Sequence, residues 1–237
     1  MIEAYMGVDL DNPLAVRYHE LSLKSFESVS DVFKINVIQC ITPKTLLDLK
    51  LSSNKGRSPQ EEAHIHSTYR LMKRIASGER FWIMEHDAYL FPKEIDIFRM
   101  IMLKYREMPM CNIGIALECY TVIPEIATMF CNHVENDDMH NSRGPMGILH
   151  AVTDLYCKAN GNNRNNVYWP KKGMDNRTGI STNVSQAHVK PSVILNSPVT
   201  QLIDEGQGTT VTDRSRFQGN NKFYNSTTHP NFHFVTL

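Results

Sequence analysis

Apolar and polar positions along this chain change repeatedly between a strand-like and a helix-like spacing. Short apolar runs bounded by turn residues predict buried strands over residues 2–8, 32–41, 81–84 and 111–117. Apolar positions at three- and four-residue spacing predict helices over residues 13–26, 58–78, 93–105, 124–134 and 147–158. Strands that alternate with helices are typical of a layered α/β domain.

Two of the predicted helices carry clear start signals. Asn12 is followed by Pro13, which is the order of an N-cap and a first helical residue. Ser58 stands three residues before Glu61 and forms a capping-box pattern, and Gly78 supplies a stop. These two helices are therefore predicted with defined ends.

The third predicted strand runs directly into charged residues, in the sequence Phe-Trp-Ile-Met-Glu-His-Asp-Ala over residues 81–88. Because strand side chains alternate, Glu85 and Asp87 are expected on one side and His86 on the other. Buried carboxylates need a partner or a metal, and oxygen ligands suit Mg²⁺ or Mn²⁺. The pattern predicts a cation site at the end of this strand, with two solvated carboxylates as the alternative.

The length and composition of the chain indicate the class of protein and its expected cellular location. The chain has 237 residues, of which 41% are hydrophobic and 21% charged, so it can bury a core. No apolar run approaches the ~20 residues that span a bilayer, and no signal peptide is recognised. The five cysteines have irregular spacing, which fits reduced thiols. We expect a cytoplasmic protein without a membrane partner.

The net charge of zero is unevenly placed. Residues 1–157 hold 16 Lys and Arg against 21 Asp and Glu, and residues 158–237 hold 9 against 4. We predict an α/β core over 1–157, and an irregular basic region over 158–237 that closes the site within one compact domain. A histidine of that tail, His229 or His233, could fold back to complete a metal shell, although surface positions are as plausible for either one alone.

The segments around the acidic motif resemble a known family. Glu62-Ala63, Ser67, Tyr69 and Leu71, followed by Ile-Met-Glu-His-Asp-Ala at 83–88, are similar to the core of small GT-A-type glycosyltransferases. The resemblance is to the bacteriophage and lipooligosaccharide-galactosyltransferase-like group, in which the Asp-X-Asp-like motif is written EDDA or EHDA. Residues 7–25 and 114–120 also match, whereas Thr68 and Gly147 depart from the pattern, which leaves the catalytic base open.

This resemblance implies a GT-A-like, Rossmann-type mixed sheet flanked by helices, and transfer of a sugar from a nucleotide-sugar, with a UDP-sugar as the expected donor. It makes Asp87 and Glu85 the catalytic pair of the metal motif. Asp87 would bind Mn²⁺ or Mg²⁺, Glu85 would contact metal-bound water or the donor ribose, and His229 or His233 would close the site. The residues implied near the base and ribose are Val8, Asp9, Asp11 and Arg17.

The basic tail suggests an acceptor. Cations interleaved with aromatic residues suit a phosphate backbone and a flipped-out base. Together with the phage resemblance, this favours a hydroxymethylated or already glycosylated pyrimidine in DNA. The predicted acceptor residues are Arg164, Tyr168, Trp169, Lys171, Lys172, Arg214 and Arg216. Equally, these residues could line the donor diphosphate or form a solvated loop.

Three other functions fit the same sequence. The main alternative is a glycosyltransferase that acts on a saccharide or lipopolysaccharide acceptor. A non-catalytic DNA-binding module would bind DNA without metal and leave nucleotide sugars intact. A metal-dependent hydrolase is weakened because no second cluster of His and Asp at ligand spacing accompanies the strand.

Overall fold

The computed structural model describes residues 1–48, 57–113, 118–136, 144–160, 167–168, 199–204 and 233–235. Its helices are α1 (Pro13–Phe26), α2 (Pro43–Asp48), α3 (Pro59–Ala76), α4 (Ile95–Lys104), α5 (Pro124–Glu135) and α6 (Pro145–Ala159). Its strands are β1 (Ile2–Val8), β2 (Phe33–Gln39), β3 (Trp82–Glu85), β4 (Ala88–Leu90), β5 (Met110–Asn112), β6 (Cys119–Val122), β7 (Val167–Tyr168), β8 (Val199–Asp204) and β9 (His233–Val235).

The main sheet has six strands in the order β2-β1-β3-β6-β5-β7. Strands β2, β1 and β3 are parallel, β6 runs antiparallel to both β3 and β5, and β7 is parallel to β5. The sheet is therefore mixed, and β1, β2, β3, β5 and β7 all point towards one edge, the carboxyl edge. A smaller sheet has the order β4-β8-β9.

Helices cover both faces of the main sheet. On one face, α1 and α4 pack through Phe26 and Phe98 against Ala4, Met6 and other inward residues of β1 and β3. On the other face, α3, α5 and α6 enclose a second apolar cluster, which includes the side chains that β3 and β6 direct to that face. The predicted α/β class, with a mixed sheet flanked by helices, is confirmed.

The cap signals act as the sequence predicts. The Asn12 side chain accepts from the backbone N–H groups of Leu14 and Ala15, and Ser58 and Glu61 form both hydrogen bonds of a capping box. Gly78 has a φ of 107°, in the left-handed region that glycine favours after a helix. Both helices therefore begin at the residues that their capping signals indicate.

One prediction of secondary structure differs from the structure, and several short elements were not predicted. The strand expected over 111–117 is the shorter β5, which pairs antiparallel with the separate strand β6; residues 114–117 lie outside the described part of the chain. Helix α2 and strands β4, β7, β8 and β9 were not expected from the sequence. Each of these elements is short, so local periodicity carries little signal for it.

Candidate functional site

The carboxyl edge of the main sheet gathers the ends of three neighbouring parallel strands. In the register of β1 and β3, Gly7 lies opposite Glu85. The chain leaving β1 at Val8 and Asp9 therefore lies beside the chain leaving β3 at His86 and Asp87. Such an edge is where open α/β sheets usually bind ligands.

Glu85 is the last residue of β3 and faces helix α3. Trp82 and Met84 belong to the core under α1 and α4, and Ile83 belongs to the core under α3. Alternation then directs Glu85 towards α3, where its Oε1 lies 3.3 Å from His64 Nε2. His64 sits near the start of α3, so the capped helix and the strand end together form this pair.

The two partners shift each other's protonation equilibrium. Burial acts against a charged His64, but the hydrogen bond to Glu85 and the negative charges of Glu85 and Asp87 outweigh it, and the pKa of His64 is raised above its ordinary 6.5. Burial likewise opposes ionisation of Glu85, yet His64, with help from His86, lowers the pKa of that carboxyl below 4.5. An imidazolium–carboxylate pair is therefore the favoured state near pH 6.

Asp87 follows in the turn between β3 and β4 and is only 2% exposed. Its charge acts on His64, as does that of Glu85, whereas the ring of His86 lies 6.2 Å from the ring of Tyr18 on α1. The charge of His86 also acts on Glu85. The strand ends at Glu85, so residues 86 and 87 lie in a turn, and the strand alternation assumed for them in the prediction does not apply.

The donor set suits a hard divalent cation. Two carboxylates can hold Mg²⁺ or Mn²⁺ when water and phosphate oxygens complete the shell. Within the described ranges, no three His, Cys, Asp or Glu residues come together in a metal-binding arrangement. Glu85 and Asp87 therefore fit such an ion only with ligands from a substrate, from water or from another part of the chain.

The residues predicted for the nucleotide lie at or near the end of β1. The side chain of Val8 is fully buried, so only its backbone could contact a ligand. Asp9 is half-buried, and its Oδ1 accepts from the Asp11 backbone N–H at 3.2 Å. Asp11 and Arg17 are exposed, the first in the loop and the second on α1. All four lie in the strand–loop–helix segment that begins at this edge.

Cys40 lies next to this segment at the end of β2. Its backbone N–H donates to the Val8 carbonyl at 2.9 Å. Burial, with the neighbouring charge of Asp9, raises the pKa of the Cys40 thiol to about 11. It is a half-buried thiol beside the β1 loop, whereas the other four cysteines are buried.

The tail contributes the small sheet beside the motif. Strand β4 begins directly after Asp87 and pairs with β8, where Ala88 lies opposite Gln201. On the other side of β8, Leu202 lies opposite His233. Strand β9, which carries His233, therefore lies two strands, about 10 Å by strand spacing, from β4, whose first residue directly follows Asp87. His229 lies outside the described residues.

Most of the predicted acceptor residues lie outside the described part of the chain, namely Arg164, Trp169, Lys171, Lys172, Arg214 and Arg216. Tyr168 is the last residue of β7, at the edge of the main sheet, opposite Cys111 of β5. Because β7 is parallel to β5, Tyr168 is the residue of β7 nearer the carboxyl edge.

Two buried polar residues near the motif were not among the predicted site residues. Glu118 is 1% exposed, and its carbonyl accepts from the Glu85 backbone N–H at 2.9 Å. Tyr120 is buried one strand from Glu85, and burial and the Glu85 charge raise its pKa, while a side-chain hydrogen bond with Thr68 acts in the opposite direction. A lone carboxylate inside the apolar run 113–122 was the available signal for Glu118.

No family model and no curated protein matches the chain. A glycosyltransferase involved in the glycosylation of the major capsid of PBCV-1 is similar in structure, with a TM-score of 0.35 and 11% identity, covering 60% of this chain and 68% of that chain. Mouse xyloside xylosyltransferase 1 gives a TM-score of 0.39 and 9% identity, covering 84% of this chain and 96% of that chain. Scores and identities this low carry no argument about activity, so a function has to be argued from the residues of this chain.

Among the described residues, no helix combines the length and the apolar character that crossing a membrane requires.

Proposed function

We propose that this protein is a metal-dependent glycosyltransferase that moves a sugar from a nucleotide-sugar, with UDP as the expected nucleotide, to a hydroxyl acceptor. One observation carries the proposal: a buried Asp87 and a paired Glu85 stand at the end of a central parallel strand, next to the loop that leaves β1. A carboxylate pair at this edge suits a cation that in turn holds an anionic diphosphate.

The reaction needs negative charge to be neutralised where the donor breaks. The acceptor oxygen bonds to the anomeric carbon and loses its proton, the bond from that carbon to the diphosphate oxygen breaks, and the nucleoside diphosphate departs. Bound Mn²⁺ or Mg²⁺ would supply positive charge for the leaving diphosphate. Asp87 serves as the metal ligand in this proposal, and Glu85, oriented by His64, binds metal-bound water or the ribose.

The donor side is supported by the segment that follows β1. Asp9 and Asp11 offer carboxylates to ribose hydroxyls, Arg17 offers a cation, and Val8 can contribute only backbone contacts. The N-terminus of α1 opens at the same edge, and helix N-termini favour anions. These residues are therefore proposed to hold the nucleotide part of the donor.

Of the two tail histidines, we favour His233 as the one that closes the site. It lies on β9, two strands from β4, the strand that begins directly after Asp87, and this supports the choice. A His233→Ala variant is expected to bind Mn²⁺ more weakly, whereas His229→Ala is expected to bind as the wild type does. If both variants bind Mn²⁺ equally weakly, or if both bind it as the wild type does, the choice of His233 is contradicted.

We propose a modified pyrimidine in DNA as the acceptor. The support is the excess of cations over residues 158–177 and the parallel strand β7, whose last residue, Tyr168, lies towards the carboxyl edge along the strand direction. Trp169, Lys171 and Lys172 follow at once in the sequence, and this mixture suits a backbone phosphate and a stacked base.

The test combines the purified protein with Mn²⁺ and a panel of nucleotide sugars. Acceptors are hydroxymethylcytosine DNA, the same DNA unmodified, and a saccharide panel, and the products are weighed by mass spectrometry after digestion. We expect a mass gain on the modified base alone. Gain on the saccharide instead would replace the acceptor, and metal-independent DNA binding without turnover would indicate a DNA-binding module.

Site variants test the metal motif separately from the acceptor. Asp87→Ala is expected to abolish metal-dependent turnover and donor hydrolysis while keeping the circular dichroism of the wild type. The matched control is Asp96→Ala, an exposed carboxylate on α4, which is expected to leave activity unchanged. Full activity in Asp87→Ala would remove Asp87 from the site.

A further inference from the structure

A buried ion pair stands at the start of α3. Arg57 Nη1 lies 2.8 Å from Glu62 Oε1, and each side chain is only 3% exposed. One turn further along the helix, His66 Nε2 lies 3.8 Å from Glu62 Oε2. Arg57 directly precedes the N-cap Ser58, so the pair links the segment entering the helix to its first turns.

Such a pair is an unusual device for stability alone. Moving two charges out of water is costly, and a pair of apolar side chains of similar volume often serves equally well. An ion pair adds geometric specificity, because a guanidinium and a carboxylate form strong hydrogen bonds only within a narrow range of orientations. Arg57 and Glu62 therefore specify the position of this helix start more narrowly than apolar contacts could.

The helix start in question lies at the carboxyl edge. The Ser67 hydroxyl accepts from the Ile41 backbone N–H, just beyond the end of β2, at 2.8 Å. Ala63 packs with Ile41 and Leu46 in a small apolar cluster. These contacts and the ion pair hold α3 from one side, and His64 projects between them towards the motif.

His64 is the connection to the candidate metal site. It follows Glu62 by two residues, so the two side chains diverge around the helix, with Glu62 directed to Arg57 and His64 to Glu85. Because both belong to one rigid helical turn, a rotation or slide of that turn moves His64 relative to Glu85. At 3.3 Å, the contact between His64 and Glu85 has little tolerance for such a shift.

We propose that Arg57 and Glu62 are positioning residues for the metal motif, acting through α3 and His64 to hold the Glu85 carboxylate in place. This inference rests on the proposed function. Residues behind metal ligands commonly change metal affinity by about 10–100-fold when they are replaced. The prediction is a loss of Mn²⁺ affinity without a matching loss of folding.

The experiment measures Mn²⁺ affinity by isothermal titration calorimetry together with the thermal midpoint, and kcat and KM for the donor. The double variant Arg57→Met/Glu62→Met replaces the pair by apolar side chains of similar length. We expect its midpoint to stay close to that of the wild type and its Mn²⁺ affinity to fall about tenfold or more. Lys73→Met is the matched control, because Lys73 also lies on α3 and its replacement breaks an exposed ion pair, with Glu135 of α5.

Unchanged Mn²⁺ affinity in a folded double variant overturns the positioning role. If the double variant fails to fold, the Arg57→Lys variant is measured instead, because lysine keeps the positive charge but lacks the planar guanidinium. An Mn²⁺ affinity of Arg57→Lys equal to that of the wild type then also overturns the role. A folded wild type that binds no Mn²⁺ overturns the proposed function and this role together. Binding that Asp87→Ala removes but the Arg57 variants leave intact overturns only the role.

Discussion

The contact between His64 and Glu85 makes a quantitative prediction about stability and pH. The perturbation is a double-mutant cycle with His64→Gln, Glu85→Gln and the double variant, studied without divalent metal. A hydrogen bond between charged partners is worth about 1.5–3 kcal/mol when well formed. Here the side chains are 33% and 25% exposed and the N···O distance is 3.3 Å. We therefore expect a coupling free energy of about 1 kcal/mol, near the upper value for solvent-accessible pairs.

The sign of the pH dependence follows from the two shifted groups. The pKa of Glu85 is lowered in the folded protein, so its contribution is present above 4.5 and is lost as the pH falls through the folded pKa. The pKa of His64 is raised, so its contribution is complete below 6.5 and is lost as the pH rises through the folded pKa. The coupling should therefore be largest between pH 4.5 and 6.5 and should decline on the alkaline side.

Urea unfolding of the four proteins at about pH 5.5 and about pH 9 measures this coupling. The control is the same cycle on Arg99 and Asp31, whose pKa values are shifted away from this window, upward for Arg99 and downward for Asp31. The control coupling should not change between the two pH values. A His64–Glu85 coupling that is equal at both, or absent at pH 5.5, would refute the assigned ion pair.

Three further predictions concern helix capping, core packing and thiol reactivity. Ser58→Ala removes the capping box and should cost about 1 kcal/mol, seen as a thermal midpoint lower by about 2–4 °C, while exposed Gln60→Ala should not lower it. Phe98→Ala, at a fully buried position, should cost about 3–5 kcal/mol in urea unfolding, against less than about 0.5 for Leu103→Ala, which is 84% exposed on the same helix. Cys40, with a thiol pKa of about 11, should react slowly with iodoacetamide at pH 8, and the rate should rise about tenfold for each pH unit above 8. A bound nucleotide should lower the rate, and a rate that does not depend on pH would contradict the raised pKa.

Several features of the protein could be predicted from sequence because their causes are local. The Asn12 cap acts on N–H groups two and three residues away, and Ser58 and Glu61 cap each other within one turn. The strand over residues 2–8 and the long helix α3 follow from apolar periodicity over adjacent residues. The importance of the acidic strand end also follows locally, since charges directly after an apolar strand need a partner.

The arrangement of the site depends on contacts between distant parts of the chain. Nothing near Glu85 in sequence indicates that His64, 21 positions earlier, would face it; that contact depends on α3 packing over β3. The pairing of β8 with β4 likewise joins residues far apart in sequence. Pairing of this kind depends on the whole core and on backbone hydrogen bonds that must find partners, which no local pattern encodes.

Asp87 shows how the two levels combine. The sequence alone indicates that a carboxylate at the end of this buried strand needs a partner. The direction of Asp87 is set by the turn into β4, and β4 exists as a strand because the distant β8 pairs with it. Local chemistry thus indicated Glu85 and Asp87, whereas tertiary contacts determined which other residues face them and in what direction, because side-chain direction follows from a backbone that only tertiary contacts hold in place.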